Sequence, residues 1–166
     1  MTTASEVLRE GFDRHIWATA KLLDHLATLD APALAQTTPG TYGSIVATMT
    51  HLVEADDRYL QRLGRPDLPP YQEREPQAPG ELGARFREHA ARWTAALDRL
   101  DAGELHAVIP PDRVPGGVDP AETLLLLQAL HHGDDHRAQV CSILGALGLE
   151  APDLDVWTYW DEVRAG

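Results

Sequence analysis

The sequence predicts an all-α protein, a four-helix bundle in which long helices pack around one central core. Three observations predict it. Apolar residues recur at helical spacing in four segments, start and stop signals bracket those segments, and prolines and glycines collect between them.

The first helix is predicted over Ser5 to Leu29, where Val7, Leu8, Phe12, Ile16, Leu22, Leu23, Leu26 and Leu29 form one apolar face. Thr3 and Glu6 have the spacing of a reciprocal capping box. After the loop DAPALAQTTPG, a second helix is predicted over Tyr42 to Leu63, with Ile45, Met49, Leu52, Asp56, Tyr59, Leu60 and Leu63 on one side. Gly64 and Pro66 supply its stop. The long second connection, GRPDLPPYQEREPQAPG, carries five prolines in 17 residues and reads as a loop.

Leu82, Phe86, His89, Ala90, Trp93, Leu97 and Leu100 predict a third helix over Gly80 to Leu100. Residues 101–118 contain the β-favouring LHAVIP and the turn-forming DRVPGGV, which suit either a short hairpin or an extended crossing. The fourth helix starts with Asp119 as cap, Pro120 in its first turn and Glu122 closing the box, and continues to Gly148. Gly133 inside it costs about 1 kcal/mol relative to alanine, and suits a place where something approaches the backbone closely. The tail DLDVWTYWDEVRAG holds two of the four tryptophans, which are expected to cover the bundle.

A chain of 166 residues fits one domain, 1–166, with its own core. Acidic residues outnumber basic ones 26 to 14, only one of the 14 is lysine, and the formal charge is −12. Such a surface repels phosphate backbones, so no nucleic-acid partner is expected. The single cysteine, Cys141, excludes an intrachain disulfide and fits a reducing compartment. MTTASEVLRE lacks a signal-peptide pattern, and no apolar run approaches the ~20 residues that span a bilayer. A cytoplasmic protein with no membrane partner is the expectation.

The stretch HHGDDHRAQV, residues 131–140, places unusual polarity on a core helix. His132 and His136, four apart, share a face with Leu125, Ala129, Ile143 and Leu147. Neutral imidazole is a good ligand for zinc, nickel or iron, and His51 on the second helix can supply a third nitrogen. Three such ligands leave a coordination position open, the pattern of catalytic sites. Spacing alone suits hydrogen-bonded core histidines equally well.

The motifs HIWATAKLLDHL, YGSIVATMTHLVEAD and HHGDDHRAQ resemble those of the DinB family, which takes in bacillithiol-transferase-like and mycothiol-dependent maleylpyruvate-isomerase-like members. The resemblance covers most of the chain. It implies an up-and-down variant of the four-helix bundle, a homodimer, and a metal triad of His51, His132 and His136. The implied ion is divalent, zinc or nickel first, with iron or manganese as further candidates. His131, Asp135 and Ala138 depart from the family's asparagine, histidine and glycine, but no ligand is lost.

Three functions are open at this stage. The leading one is a metal-dependent transferase that joins a low-molecular-weight thiol to an electrophilic small-molecule substrate, or an isomerase using that thiol. A metal-dependent hydrolase and a non-catalytic metal-binding structural or interaction protein are the alternatives. Asp56 either hydrogen-bonds near the site or marks where its helix meets solvent. Tyr42, Tyr59 and Trp17 are candidates for a pocket wall or plain core. Arg137 and Gln139 read as packing residues, and Cys141 as a buried small hydrophobe. His131 and Asp135 read as a pair beside the site, and His15, His25, His89 and His106 show no partner at ligand spacing.

Overall fold

Helix α1 (Ala4–Leu26) begins with the predicted box: Thr3 Oγ1 accepts the Glu6 N–H at 3.2 Å, and the Glu6 carboxylate accepts the Thr3 N–H at 2.6 Å. The computed structural model describes residues 3–63, 75–105 and 122–165, and among them the regular structure is helical. A single turn, α2 (Ala31–Leu34), is capped by Asp30. Helix α3 (Ile45–Arg62) starts later than its periodicity suggests, because the Ser44 hydroxyl accepts the Ala47 N–H and acts as the cap. Tyr42 therefore lies in the connection before α3.

The expected four-helix bundle is corrected by the third segment. It forms two helices, α4 (Pro79–Arg87) and α5 (His89–Asp101), separated at Glu88. There the Glu88 N–H reaches back only three residues, to the Arg85 carbonyl at 3.2 Å. No proline or glycine marks the break, and apolar positions continue across it, so periodicity sees one helix. With α6 (Glu122–Ala146), five helices of nine residues or more are present among the described residues.

Helix α6 ends near the predicted Gly148, which takes φ +71° while Leu149 N–H bonds to Leu144 O and Gly148 N–H to Gly145 O. This Schellman arrangement satisfies carbonyls that the helix end leaves open. The hairpin expected within 101–118 and the Asp119–Pro120 cap fall on residues 106–121, outside the described residues. The tail also departs from expectation. It forms α7 (Val156–Tyr159) and a π-helical turn over Trp160–Arg164, in which Trp157 is 77% and Trp160 54% exposed while Tyr159 is buried. The phenol between the two indoles is the ring that covers the helices, stacking at a tilt on Trp17.

Helix α1 packs against α4, α5 and α6, and α3 against α6, α4 and α5. The interior has two apolar clusters. One contains Leu22 and Leu26 of α1, Met49 and Leu52 of α3, Phe86 of α4, and Val140 and Ile143 of α6. The other contains Phe12 of α1, Leu60 of α3, Trp93 and Leu97 of α5, and Leu125 and Ala129 of α6.

Between them, on α1, α3, α5 and α6, lie buried polar groups: His15 and Thr19, Asp56, His89, and Arg137. Arginine only donates, so the Arg137 Nη1 contact to His15 Nδ1 at 3.0 Å makes that nitrogen an acceptor. The His15 proton therefore sits on Nε2, which donates to Asp56 Oδ2 at 3.0 Å. Arg137 also donates to Thr19 Oγ1, and the Trp93 indole N–H donates to Asp56 Oδ2 at 3.1 Å.

Gly133 is where this layer needs space. A Cβ at that position would lie 2.5 Å from His15 Nδ1 and 2.9 Å from Arg137 Nη1. Gly133→Ala should therefore lower the melting temperature by several degrees, although alanine is the better helix former by about 1 kcal/mol. A thermal melt showing Gly133→Ala as stable as the parent would contradict this packing.

Candidate metal centre

The close packing of α3 on α6 sets His51 opposite His132 and His136, which lie one helical turn apart on α6. His132 Nε2 is 3.1 Å from His51 Nε2 and 3.1 Å from His136 Nε2. A ring nitrogen carries either one N–H or one lone pair, so His132 Nε2 can make only one of these contacts a hydrogen bond. A cation taking one lone pair from each ring resolves the conflict.

The spacing fits such an ion. Metal–nitrogen bonds of about 2.0–2.1 Å put ligand nitrogens roughly 3.3 Å apart in a tetrahedron and about 2.9 Å apart at an octahedral edge. The three histidines are the one group among the described residues whose ligand atoms cluster, all lying within 4.8 Å of one another.

The electrostatics keep the two α6 rings, His132 and His136, neutral. Burial, followed by repulsion from His136 and His51, lowers the His132 pKa to about 3. Burial likewise lowers His136, against the opposing effect of the hydrogen bond it donates to the Gln139 amide oxygen. Neutral rings retain the lone pairs that coordination requires.

Aromatic rings border the cluster. Tyr42 stacks on His51 at 4.2 Å between ring centroids and meets His136 edge-on at 5.4 Å. Tyr59 meets His132 edge-on at 5.8 Å. Trp17 stands apart, against Tyr159. It helps line a hollow of about 300 Å³ between α1, α5 and the C-terminal turn, which none of the three histidines lines.

Other candidates resolve differently. Asp56 is fully buried and faces His15 and Trp93 rather than solvent. Burial alone would raise its pKa, but the pull of His15, the hydrogen bonds from His15 and Trp93, and the nearby His89 ring hold it below the ordinary carboxylate range. Arg137 is buried and ties α6 to α1. Asp135 accepts from the Gln139 amide at 3.0 Å, while His131 is exposed. Cys141 is half-buried, and burial pushes its thiol pKa up.

His15 and His89 are the residues that ligand spacing misses, because their partners lie on other helices. His89 Nε2 is 3.1 Å from Asp57 Oδ1, and despite burial the Asp56 and Asp57 carboxylates raise its pKa. The available signal was one polar residue interrupting each apolar stripe.

The low His132 pKa predicts an acid-side loss of stability in metal-free protein. An unfolded imidazole titrates near 6.5, whereas the folded ring holds off protonation until about 3. Its contribution is present in full above about pH 6.5 and declines as pH falls toward 3. Melting temperatures of chelator-stripped protein, measured from about pH 8 to about pH 4, should fall more steeply for the parent than for His132→Gln. Parallel curves would contradict a neutral buried ring.

Comparison with known proteins places the chain in a family. No curated protein matches the chain, but the model of the DinB superfamily matches residues 14–140, a span that contains all three histidines. The chain belongs to the DinB superfamily.

Proposed function

We infer that the protein binds one divalent metal ion through His51, His132 and His136 and uses it to transfer a low-molecular-weight thiol to an electrophilic small molecule. The observation that carries the metal reading is the cluster of three imidazoles with ligand atoms within 4.8 Å of one another, and with two 3.1 Å contacts at a ring nitrogen that can satisfy only one of them. The thiol chemistry rests on the resemblance to thiol-using DinB-family members. Zinc or nickel suits three imidazoles best.

A bound divalent ion supplies Lewis acidity that favours the thiolate over the thiol near neutral pH. The protein's own residues supply the rest. His51, His132 and His136 present ring nitrogens, burial keeps His132 and His136 unprotonated, and Tyr42 and Tyr59 border the rings with aromatic surface.

Transfer is favoured over hydrolysis by the carboxylates. Asp56 is fully buried with its Oδ2 held by His15 and Trp93, and Asp135 Oδ2 is held by Gln139, which argues against either serving water as a general base. A thiol ionised by the metal needs no such base.

Elemental mass spectrometry on untagged protein should find about one divalent ion per chain, lost in both His51→Ala and His132→Ala. The metal-loaded protein should then accelerate addition of a low-molecular-weight thiol to an electrophile, and the chelator-stripped protein should not. A parent protein that takes up neither zinc nor nickel would sink the metal reading. Equal rates with and without metal would sink the thiol reading alone.

A further inference from the structure

Gln139 lies one turn beyond His136 on α6, half-buried, and its amide oxygen has two neighbours. It accepts the Tyr42 backbone N–H at 2.8 Å and lies 3.3 Å from His136 Nδ1. The amide nitrogen donates to Asp135 Oδ2 at 3.0 Å.

These partners fix which end of the amide is which. A backbone N–H can only donate and a carboxylate can only accept, so the oxygen must face Tyr42 and the nitrogen Asp135. The oxygen can only accept from His136, which therefore carries its proton on Nδ1 and keeps the lone pair on Nε2. That is the nitrogen directed at His132. Asp135, Gln139 and His136 thus form a chain on α6 that prepares one ring for a cation.

The same oxygen reaches across to the connection before α3. Tyr42 is held by its backbone there, while its ring stacks on His51 and meets His136 edge-on. One side chain therefore joins two of the three nitrogen donors to the aromatic wall beside them.

We propose that Gln139 is a positioning residue that sets the His136 tautomer and couples metal occupancy to the placement of Tyr42. This rests on the metal reading above. A cation on Nε2 makes Nδ1–H a stronger donor, which strengthens the hold on Gln139 and through it on Tyr42. Coupling of this kind is reciprocal, so loosening Tyr42 weakens the metal and removing the metal loosens Tyr42.

The test uses zinc as the probe on the full chain. Chelator competition should give Gln139→Ala a zinc affinity about 10–100-fold below the parent, with an unchanged helical circular-dichroism spectrum. Amide hydrogen exchange should show Tyr42 N–H more protected with zinc in the parent and insensitive to zinc in Gln139→Ala. Nitrogen-15 imidazole spectra of the metal-free parent should show the His136 proton on Nδ1.

The double variant Gln139→Glu with Asp135→Asn keeps an acceptor toward His136 and a donor in place of Asp135. It should recover most of the affinity, which a purely steric role for Gln139 would not require. Parent protein that takes up no zinc overturns the metal reading and this coupling together. Zinc binding equally tight in the parent and Gln139→Ala, or a His136 proton on Nε2, overturns the positioning role alone.

Discussion

The guanidinium of Arg137 is 3% exposed, and its donors must find acceptors inside the protein. It finds Thr19 and His15 on α1, and His15 passes the interaction to Asp56 on α3, which also receives the Trp93 indole from α5. One polar layer thereby joins four helices at a single level between two apolar clusters. Removing one partner from such a layer leaves a buried group unpaired, at a cost of about 3–5 kcal/mol where a charge is involved. Apolar packing alone tolerates sliding of one helix along another; these bonds do not. They hold α6 beside α3 at a level where His132 and His136 meet His51.

That layer also explains why Gly133 interrupts the richest helix of the chain. His15 occupies the space a side chain would need, so the intrinsic helix weakness is exchanged for a buried donor–acceptor path. Two sets of polar groups then lie back to back on α6. Arg137 points toward α1 and serves the fold, whereas His132 and His136 point toward α3 and form the candidate site. Their environments differ in sign: Asp56 and Asp57 draw charge onto His89, while His132 and His136 are kept neutral by burial.

Much of this was legible in the sequence. Thr3 with Glu6, most of the apolar stripes of α1, α3 and α6, the stop at Gly148 and the placement of two histidines on one face all follow from local rules, whereas Val7 and Leu147, at the ends of their stripes, are exposed. What escaped depends on contacts between distant segments. The break at Glu88 carries no glycine or proline. The tail's buried ring is Tyr159 rather than either tryptophan, which only the surface beneath it decides. His15 and His89 lack partners on their own helices and acquire them from α3, so no spacing rule could pair them. The histidine cluster was legible through family motifs more than through periodicity, since a histidine pair four apart is also at home in a hydrogen-bonded core.

Whether the three Nε2 atoms share one cation is decided by anomalous diffraction from zinc-loaded crystals. One strong peak is expected at about 2.0–2.1 Å from His51, His132 and His136 Nε2. Zinc-soaked crystals in which no peak joins the three rings, and in which the histidines pair through hydrogen bonds instead, would contradict it.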